Sequence, residues 1–419
     1  MSLKKKYSKL IVILTGIFIS MSLFESLSGH GEHHDLIIET SDKLMTDPVL
    51  SGTISRYDSL LKREFAASNA TGAAVTIVHN GSIIYKETFG VTRVGTTDSV
   101  NENTVFRLAS VSKGFAGILA CLLQKDGYIN LDEKVSTYLP GFTLKDTANT
   151  FNLTIKNTLS HTTGLVPHAY DNLIEANQSL GIMLPRLKEV DISASPGQLY
   201  GYQNLIFSLI DTITEMRTGK SYGYLLEKKI FTPLQMRNAS TGYDIFEQPD
   251  ANVAFPHVLA RNGYISISPS KTYYNVLPAA GVNLSINDMG KWLLALLGYY
   301  PGIIDTSTIR AITTPVVQTP LKYTYTRHWH GIEDKFYSLG WRIYMYKGRK
   351  IIYHGGYVRG YKAEIAFCPE EHMGIAYLQN CSNGLASKSI PSFFSMLFEN
   401  KGKTNAGKVM AMKEDKSPF

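Results

Sequence analysis

Cysteine is scarce: the 419-residue chain has three, an odd number, so not all can pair internally. Cys121 lies in an apolar run and reads as a core residue. Cys368 and Cys381 flank a tight hairpin. Its register sets Cys368 opposite a residue near Met373, which leaves Cys381 several residues away, so no bridge between them is expected. Histidine and carboxylate spacing of the zinc type is also missing, so neither a metal nor another cofactor is expected. His30, His33 and His34 read as a polar linker instead. No clustered basic patch is present, which argues against a nucleic-acid partner.

A long apolar run is absent as well. Leu10 to Phe24 is short of the ~20 residues that a membrane span needs. It follows Lys4, Lys5, Lys6 and Lys9, and small residues surround Ser26, Ser28 and Gly29. That pattern reads as a secretory signal over residues 1–28, with an uncleaved anchor as the lesser option. No cysteine follows for lipid attachment. Export to the periplasm or medium is expected, with membrane contact through this segment alone. A linker follows over 29–49, and residues 401–419 read as a polar tail.

What remains is ordinary for a globular chain with a large core: 44% apolar and 18% charged residues. Apolar residues at Ile54, Tyr57, Leu61 and Phe65 have helical spacing. Ala73–Val78 and Ile83–Thr88 read as strands joined by a His79-Asn80-Gly81-Ser82 turn. From Ser110 the texture becomes helix and loop. Ser285 reads as a helix N-cap with Asp288 at the capping-box position. After that, Ser338–Tyr346, Lys350–Tyr353, Lys362–Phe367 and Met373–Leu378 read as strands, and Pro391–Phe398 as a helix that returns to the first. The simplest packing is a sheet built from both ends of the chain, about 50–108 plus 280–400. A helical subdomain, about 109–279, is inserted between them. A cleft at the junction is the default site.

Three stretches could line that cleft. Ser110-Val111-Ser112-Lys113 heads the apolar run from Phe115 to Leu123. On a helix, residues three apart share a face. A partly desolvated lysine can then take the serine's proton, and the helix N-terminus offers N–H groups to an oxyanion. The same residues also fit an N-cap serine and a surface lysine. Tyr202 and Asn204 follow the Ser195-Pro196-Gly197 turn. They could be a general base and a substrate-fixing amide, or a packing tyrosine with an N-cap asparagine. His354-Gly355-Gly356-Tyr357 stands between two strands, where glycines allow a backbone to approach a ligand closely. His161 reads as a hydrogen-bonding brace.

Together these residues resemble the class C β-lactamase family of serine hydrolases, which also holds low-molecular-weight penicillin-binding proteins, D-aminopeptidases and certain esterases. The resemblance covers roughly residues 50–400, in order. It rests on the Ser110–Lys113 pair, on Tyr202-Gln203-Asn204 and on His354-Gly355-Gly356. Leu159–Leu165, Pro233–Met236 and Ala280–Ser285 support it.

The resemblance implies a β-lactamase/transpeptidase-like α/β (α+β) fold, an antiparallel sheet flanked by helices with an all-helical insertion. It implies Ser110 as nucleophile, Lys113 and Tyr202 as proton carriers, and Asn204, His354, Gly355 and Gly356 as substrate-binding residues. The oxyanion hole would be the N–H groups of Ser110 and Tyr357. Two departures matter: His354 stands where the family's β-lactamases have lysine, and Gly355 where they have threonine. Arg359 is a candidate for the missing charge. The expected activity is hydrolysis of an amide, in a β-lactam or D-amino-acid peptide, through an acyl-serine. The alternatives are a carboxylesterase on short acyl esters and a penicillin-binding sensor with little turnover.

Overall fold

The computed structural model describes residues 47–320 and 326–414. The expected signal segment, and the linker up to residue 46, lie outside the described residues. The first helix, α1 (Pro48–Ser68), starts earlier than its apolar spacing suggested. Asp47 caps it, its side chain accepting from the N–H groups of Val49 and Leu50 at 3.0 and 3.1 Å. Pro48 fits the first turn because its missing N–H would be unpaired there anyway. Leu50, Ile54, Tyr57 and Leu61 form the buried stripe.

Two strands follow, β1 (Gly72–His79) and β2 (Ser82–Gly90). Asn80 and Gly81 turn between them with φ of 46° and 83°. Both values are positive, as the two-residue hairpin turn demands. Three short strands come next: β3 (Val105–Arg107), β4 (Ser240–Thr241) and, after an intervening hairpin, β7 (Val282–Ser285). They pair in the order β3-β7-β4. The intervening hairpin is β5 (His257–Ala260) with β6 (Gly263–Ser266), inside a stretch that read as helix and loop. The remaining strands are β8 (Val317–Gln318), β9 (Ile332–Tyr337), β10 (Arg342–Tyr346), β11 (Arg349–Val358), β12 (Tyr361–Cys368) and β13 (Met373–Gln379). Among the described residues the main sheet has the order β2-β1-β13-β12-β11-β10-β9-β8. Every pair in it is antiparallel, and both ends of the chain contribute.

Three strand readings need correction. Ser338–Tyr346 is not one strand: Ser338 N–H donates to Trp341 O at 2.8 Å, which closes a turn into β10. β9 was not anticipated, because its Glu333, Asp334 and Lys335 break the apolar signal. β11 does not end at Tyr353 but continues through His354 and both glycines to Val358.

Helices cover both faces of the sheet, so β13 is buried along its whole length. Met373, Ile375 and Tyr377 pack with α1 and the last helix, while Ala376 and Leu378 join the core on the other face. That last helix runs Leu385–Glu414, through most of the expected tail, and packs on α1 as expected. Tyr57 meets Phe393 edge-on at 5.3 Å, and its hydroxyl lies 2.5 Å from Ser389 Oγ. On the opposite face lies a helix over Ser112–Lys125, buried from Ser112 to Leu123. Gly117 lets it pass Leu339; a Cβ there would stand 2.1 Å from the Leu339 carbonyl oxygen. Phe115 stacks on Trp292 of the helix Ile286–Leu296, with ring centroids 4.0 Å apart. Ser285 caps that helix, but Asp288 does not close the capping box: its carboxylate accepts from Asn238 N–H instead. Cys368 pairs with Met373 across the hairpin, and all three cysteines are free.

Candidate active site

Ser110 sits in a tight turn, Ala109–Val111, that leads into the Ser112–Lys125 helix. Ala109 has φ 48°, a left-handed conformation that an alanine rarely adopts. This bend presents Ser110 at the wall of a cavity of about 490 Å³. One helical turn on, Lys113 is fully buried. Its ammonium nitrogen lies 3.4 Å from Ser110 Oγ, 2.8 Å from Asn204 Oδ1 and 3.0 Å from the Ala279 carbonyl oxygen. Burial drives the lysine well below its ordinary pKa; Asp171 opposes this, and Arg342 adds to it. A buried lysine of this kind is suited to accept a proton.

Tyr202 donates from its hydroxyl to Ser110 Oγ at 3.0 Å. Lys113 Nζ stands 4.7 Å from the Tyr202 ring centroid. The three groups on which the reading depends therefore meet, although residues 110 and 202 are distant in sequence. His161 acts as the brace: it is buried, and its Nδ1 accepts from Gln203 N–H at 3.2 Å. Its ring packs 4.3 Å from that of Tyr202.

Asn204 is neither a simple cap nor a free amide. Its oxygen accepts from Lys113, and its nitrogen donates to both oxygens of Asp171, at 3.1 and 3.2 Å. One amide N–H thus remains for a substrate carbonyl.

Strand β11 supplies the opposite wall. A Cβ at Gly356 would come 2.0 Å from the Leu108 carbonyl oxygen and 3.2 Å from Ser110 N. Glycine is what permits the strand to approach the nucleophile's turn this closely. Gly355, Gly356 and Tyr357 line the cavity, and Tyr357 is exposed. His354 does not. It is fully buried, with Nε2 3.2 Å from the Tyr337 hydroxyl and Nδ1 2.9 Å from the Gly355 carbonyl oxygen. Burial, Arg342 and Lys113 hold its pKa well below the ordinary histidine value. The expectation that His354 meets substrate is thus corrected: its ring shares the face of Gly356 but is packed in the interior against Tyr337.

Arg359 also falls elsewhere. It lines a neighbouring cavity of about 590 Å³, beyond Tyr273 and Tyr357. The cation in the Ser110 cavity is instead Arg342, from the adjacent strand β10, 5.6 Å from the Tyr202 ring centroid. Lys362 and Arg327 join it farther along the wall. Arg342, His168 and Asp171 were not read from the sequence. An arginine between Trp341 and Ile343 in a strand was the available signal. Among the described residues, no group of His, Cys, Asp or Glu could hold a metal ion.

A family model described as Beta-lactamase matches residues 58–390. The chain belongs to the beta-lactamase family. The unguisins hydrolase UngD′ of Aspergillus campestris is 26% identical over 79% of this chain and 62% of its own length, so the chain spans under two thirds of that relative. Protein Flp of Staphylococcus aureus is 20% identical over 86% of this chain and 70% of its own length. The octameric penicillin-binding protein homologue from Pyrococcus abyssi superposes with a TM-score of 0.71. That match has 21% identity and covers 82% of this chain and 77% of the homologue, which shows a shared fold.

Proposed function

We propose that this beta-lactamase family member is an exported hydrolase that cleaves an amide bond through an acyl-Ser110 intermediate. The observation that carries the reading is Ser110 Oγ within reach of both the Tyr202 hydroxyl, at 3.0 Å, and Lys113 Nζ, at 3.4 Å, on the wall of one cavity. The Tyr202–Lys113 pair takes the serine proton as Oγ bonds to the carbonyl carbon. The Ser110 and Tyr357 N–H groups hold the oxyanion, Asn204 orients the acyl amide, and the proton passes to the leaving amine. Water then cleaves the ester. Arg342 and Lys362 favour a substrate with a carboxylate on the leaving-group side, such as a β-lactam or a D-amino-acid peptide. The relative named as an unguisins hydrolase also supports a hydrolytic reaction. Export rests on the basic and apolar character of residues 1–28. Among the described residues, no helix is long and apolar enough to cross a membrane.

A second reading has its own support. His354 faces inward and Gly355 has no hydroxyl, so β11 itself offers no anion contact. That favours a carboxylesterase on short acyl esters, using the same nucleophile. Rates on a penicillin, on a D-alanyl-D-alanine peptide and on p-nitrophenyl butyrate separate the two. The amidase reading predicts that one of the first two is turned over faster than the ester. If the ester alone is cleaved, the esterase reading replaces it.

A further inference from the structure

Arg359 stands close to the site yet has no part in the acylation chemistry. It is exposed, and among the described residues no ion pair or hydrogen bond engages its side chain. It lines the cavity of about 590 Å³ that adjoins the Ser110 cavity. Tyr273 and Tyr357 line both cavities, so the two share a wall. The second cavity is built from tied segments. Arg107, fully buried, donates to the carbonyl oxygens of Ser270 and Thr272, both at 2.8 Å, and so pins a stretch of the lining. Asn275 donates to the carbonyl oxygens of Ile174 and Gln178, at 3.1 and 2.7 Å, which ties the segment carrying Glu175 to that stretch. Tyr273 has φ 70°, a left-handed conformation that costs energy in a non-glycine residue, and its hydroxyl donates to Glu175 Oε1 at 3.2 Å. Val258, Ile267 and Val358 supply the apolar part of the lining.

The direction of β11 decides which half of a substrate enters this cavity. The reacting carbonyl sits at the Ser110 and Tyr357 N–H groups. On the leaving-group side, Arg342 pairs with Tyr353 in the sheet, and Lys362 Nζ lies 3.6 Å from Glu364, which pairs with Gly355. Those two positive charges therefore stand at the level of residues before Tyr357, and Arg359 follows two residues after it. Two residues of strand span about 7 Å. An acyl part that continues along β11 past the carbonyl meets Val358 and then Arg359. Of the two charged groups there, Glu175 already accepts from Tyr273, whereas the Arg359 guanidinium is available to a carboxylate. We propose that the second cavity is the acyl-side subsite, and that Arg359 selects substrates whose acyl part carries a carboxylate beyond an apolar spacer; the inference rests on the acyl-Ser110 reading.

Two matched pairs of substrates test it: mono-p-nitrophenyl suberate against p-nitrophenyl octanoate, and adipyl- against hexanoyl-6-aminopenicillanic acid. Within each pair the scissile bond, the leaving group and the acyl chain length are the same, and only the distal carboxylate differs. The readout is the second-order rate constant of acylation, taken as kcat/KM where turnover is seen and from intact mass where the acyl-enzyme persists. In the class that acylates the wild type, the ratio of charged to uncharged substrate falls about tenfold or more in Arg359→Gln, the scale of one lost charge-assisted contact. The rate on the uncharged member stays within about threefold, because an exposed side chain remote from the reacting groups is exchanged. A ratio that Arg359→Gln leaves unchanged overturns the proposal, whether both members keep their rates or lose them alike. A wild-type chain that forms an acyl-serine with none of the four overturns the acyl-Ser110 reading, and this inference with it.

Discussion

Gly356→Ala tests how the oxyanion site is built. Cβ atoms in real structures stay beyond 3.0 Å from their neighbours, and the new one would lie 2.0 Å from the Leu108 carbonyl oxygen. That oxygen belongs to backbone, two residues before the nucleophile, so it has no flexible end to swing aside. β11 and the Leu108–Ser110 turn must therefore separate by about 1 Å. A misplacement of that size costs about 100-fold in rate, and removal of one oxyanion donor costs about 100- to 1000-fold. The expected loss in kcat on p-nitrophenyl acetate is thus at least about 100-fold. Overpacking costs stability only about 1–3 kcal/mol, so urea denaturation should still show a folded protein. Gly355→Ala is the control: its Cβ meets the Tyr353 hydroxyl at 2.7 Å and no backbone of residues 108–110. It should stay within about tenfold of wild type, since a side-chain tip yields more readily than backbone. A folded Gly356→Ala protein with wild-type kcat would refute the reasoning.

Other expectations follow from single contacts. Lys113→Met abolishes turnover and changes how stability depends on pH. Burial lowers the Lys113 pKa in the folded chain below its ordinary 10.5, so the unfolded chain binds more protons between the two values. Wild-type stability therefore rises with pH across that window, and the comparison with Lys113→Met shifts in favour of wild type as pH approaches 10.5; urea midpoints at several pH values check this, and a flat difference contradicts it. Arg342→Met raises KM for a penicillin more than for p-nitrophenyl butyrate, about tenfold or more for the loss of one charge-assisted contact; equal changes on both substrates argue against a carboxylate-binding role. Phe393→Ala removes a buried ring between α1 and the sheet. It should cost about 3–5 kcal/mol of stability while kcat of the folded enzyme is unchanged.

The parts of the molecule that rest on local chemistry were legible in the sequence. Asn80-Gly81 specifies a hairpin turn by its backbone freedom, and the turn is there. Ser110 and Lys113 face each other because three residues of helix place them so. Tyr202 and Asn204 became readable through order along the chain rather than through any local rule. What escaped was set by pairing between distant segments. The two glycines after His354 look like a strand ending; in a central strand they make room for the Leu108–Ser110 turn, and β11 runs on. The burial of His354 follows from Tyr337 of β9 packing against its ring, a contact between strands that periodicity alone does not fix. Arg342 enters the site because β10 lies beside β11, a fact of sheet order. His168 and Asp171 are tied to Tyr202 and Asn204 across a gap of some thirty residues.

Intact-mass spectrometry of the purified chain mixed with a penicillin, followed over time and repeated with Ser110→Ala, tests the central claim most directly. An adduct of the penicillin's mass is expected on the wild-type chain, mapped to Ser110 and decaying as hydrolysed product appears, with no adduct on Ser110→Ala. An adduct or undiminished hydrolysis in Ser110→Ala would contradict it.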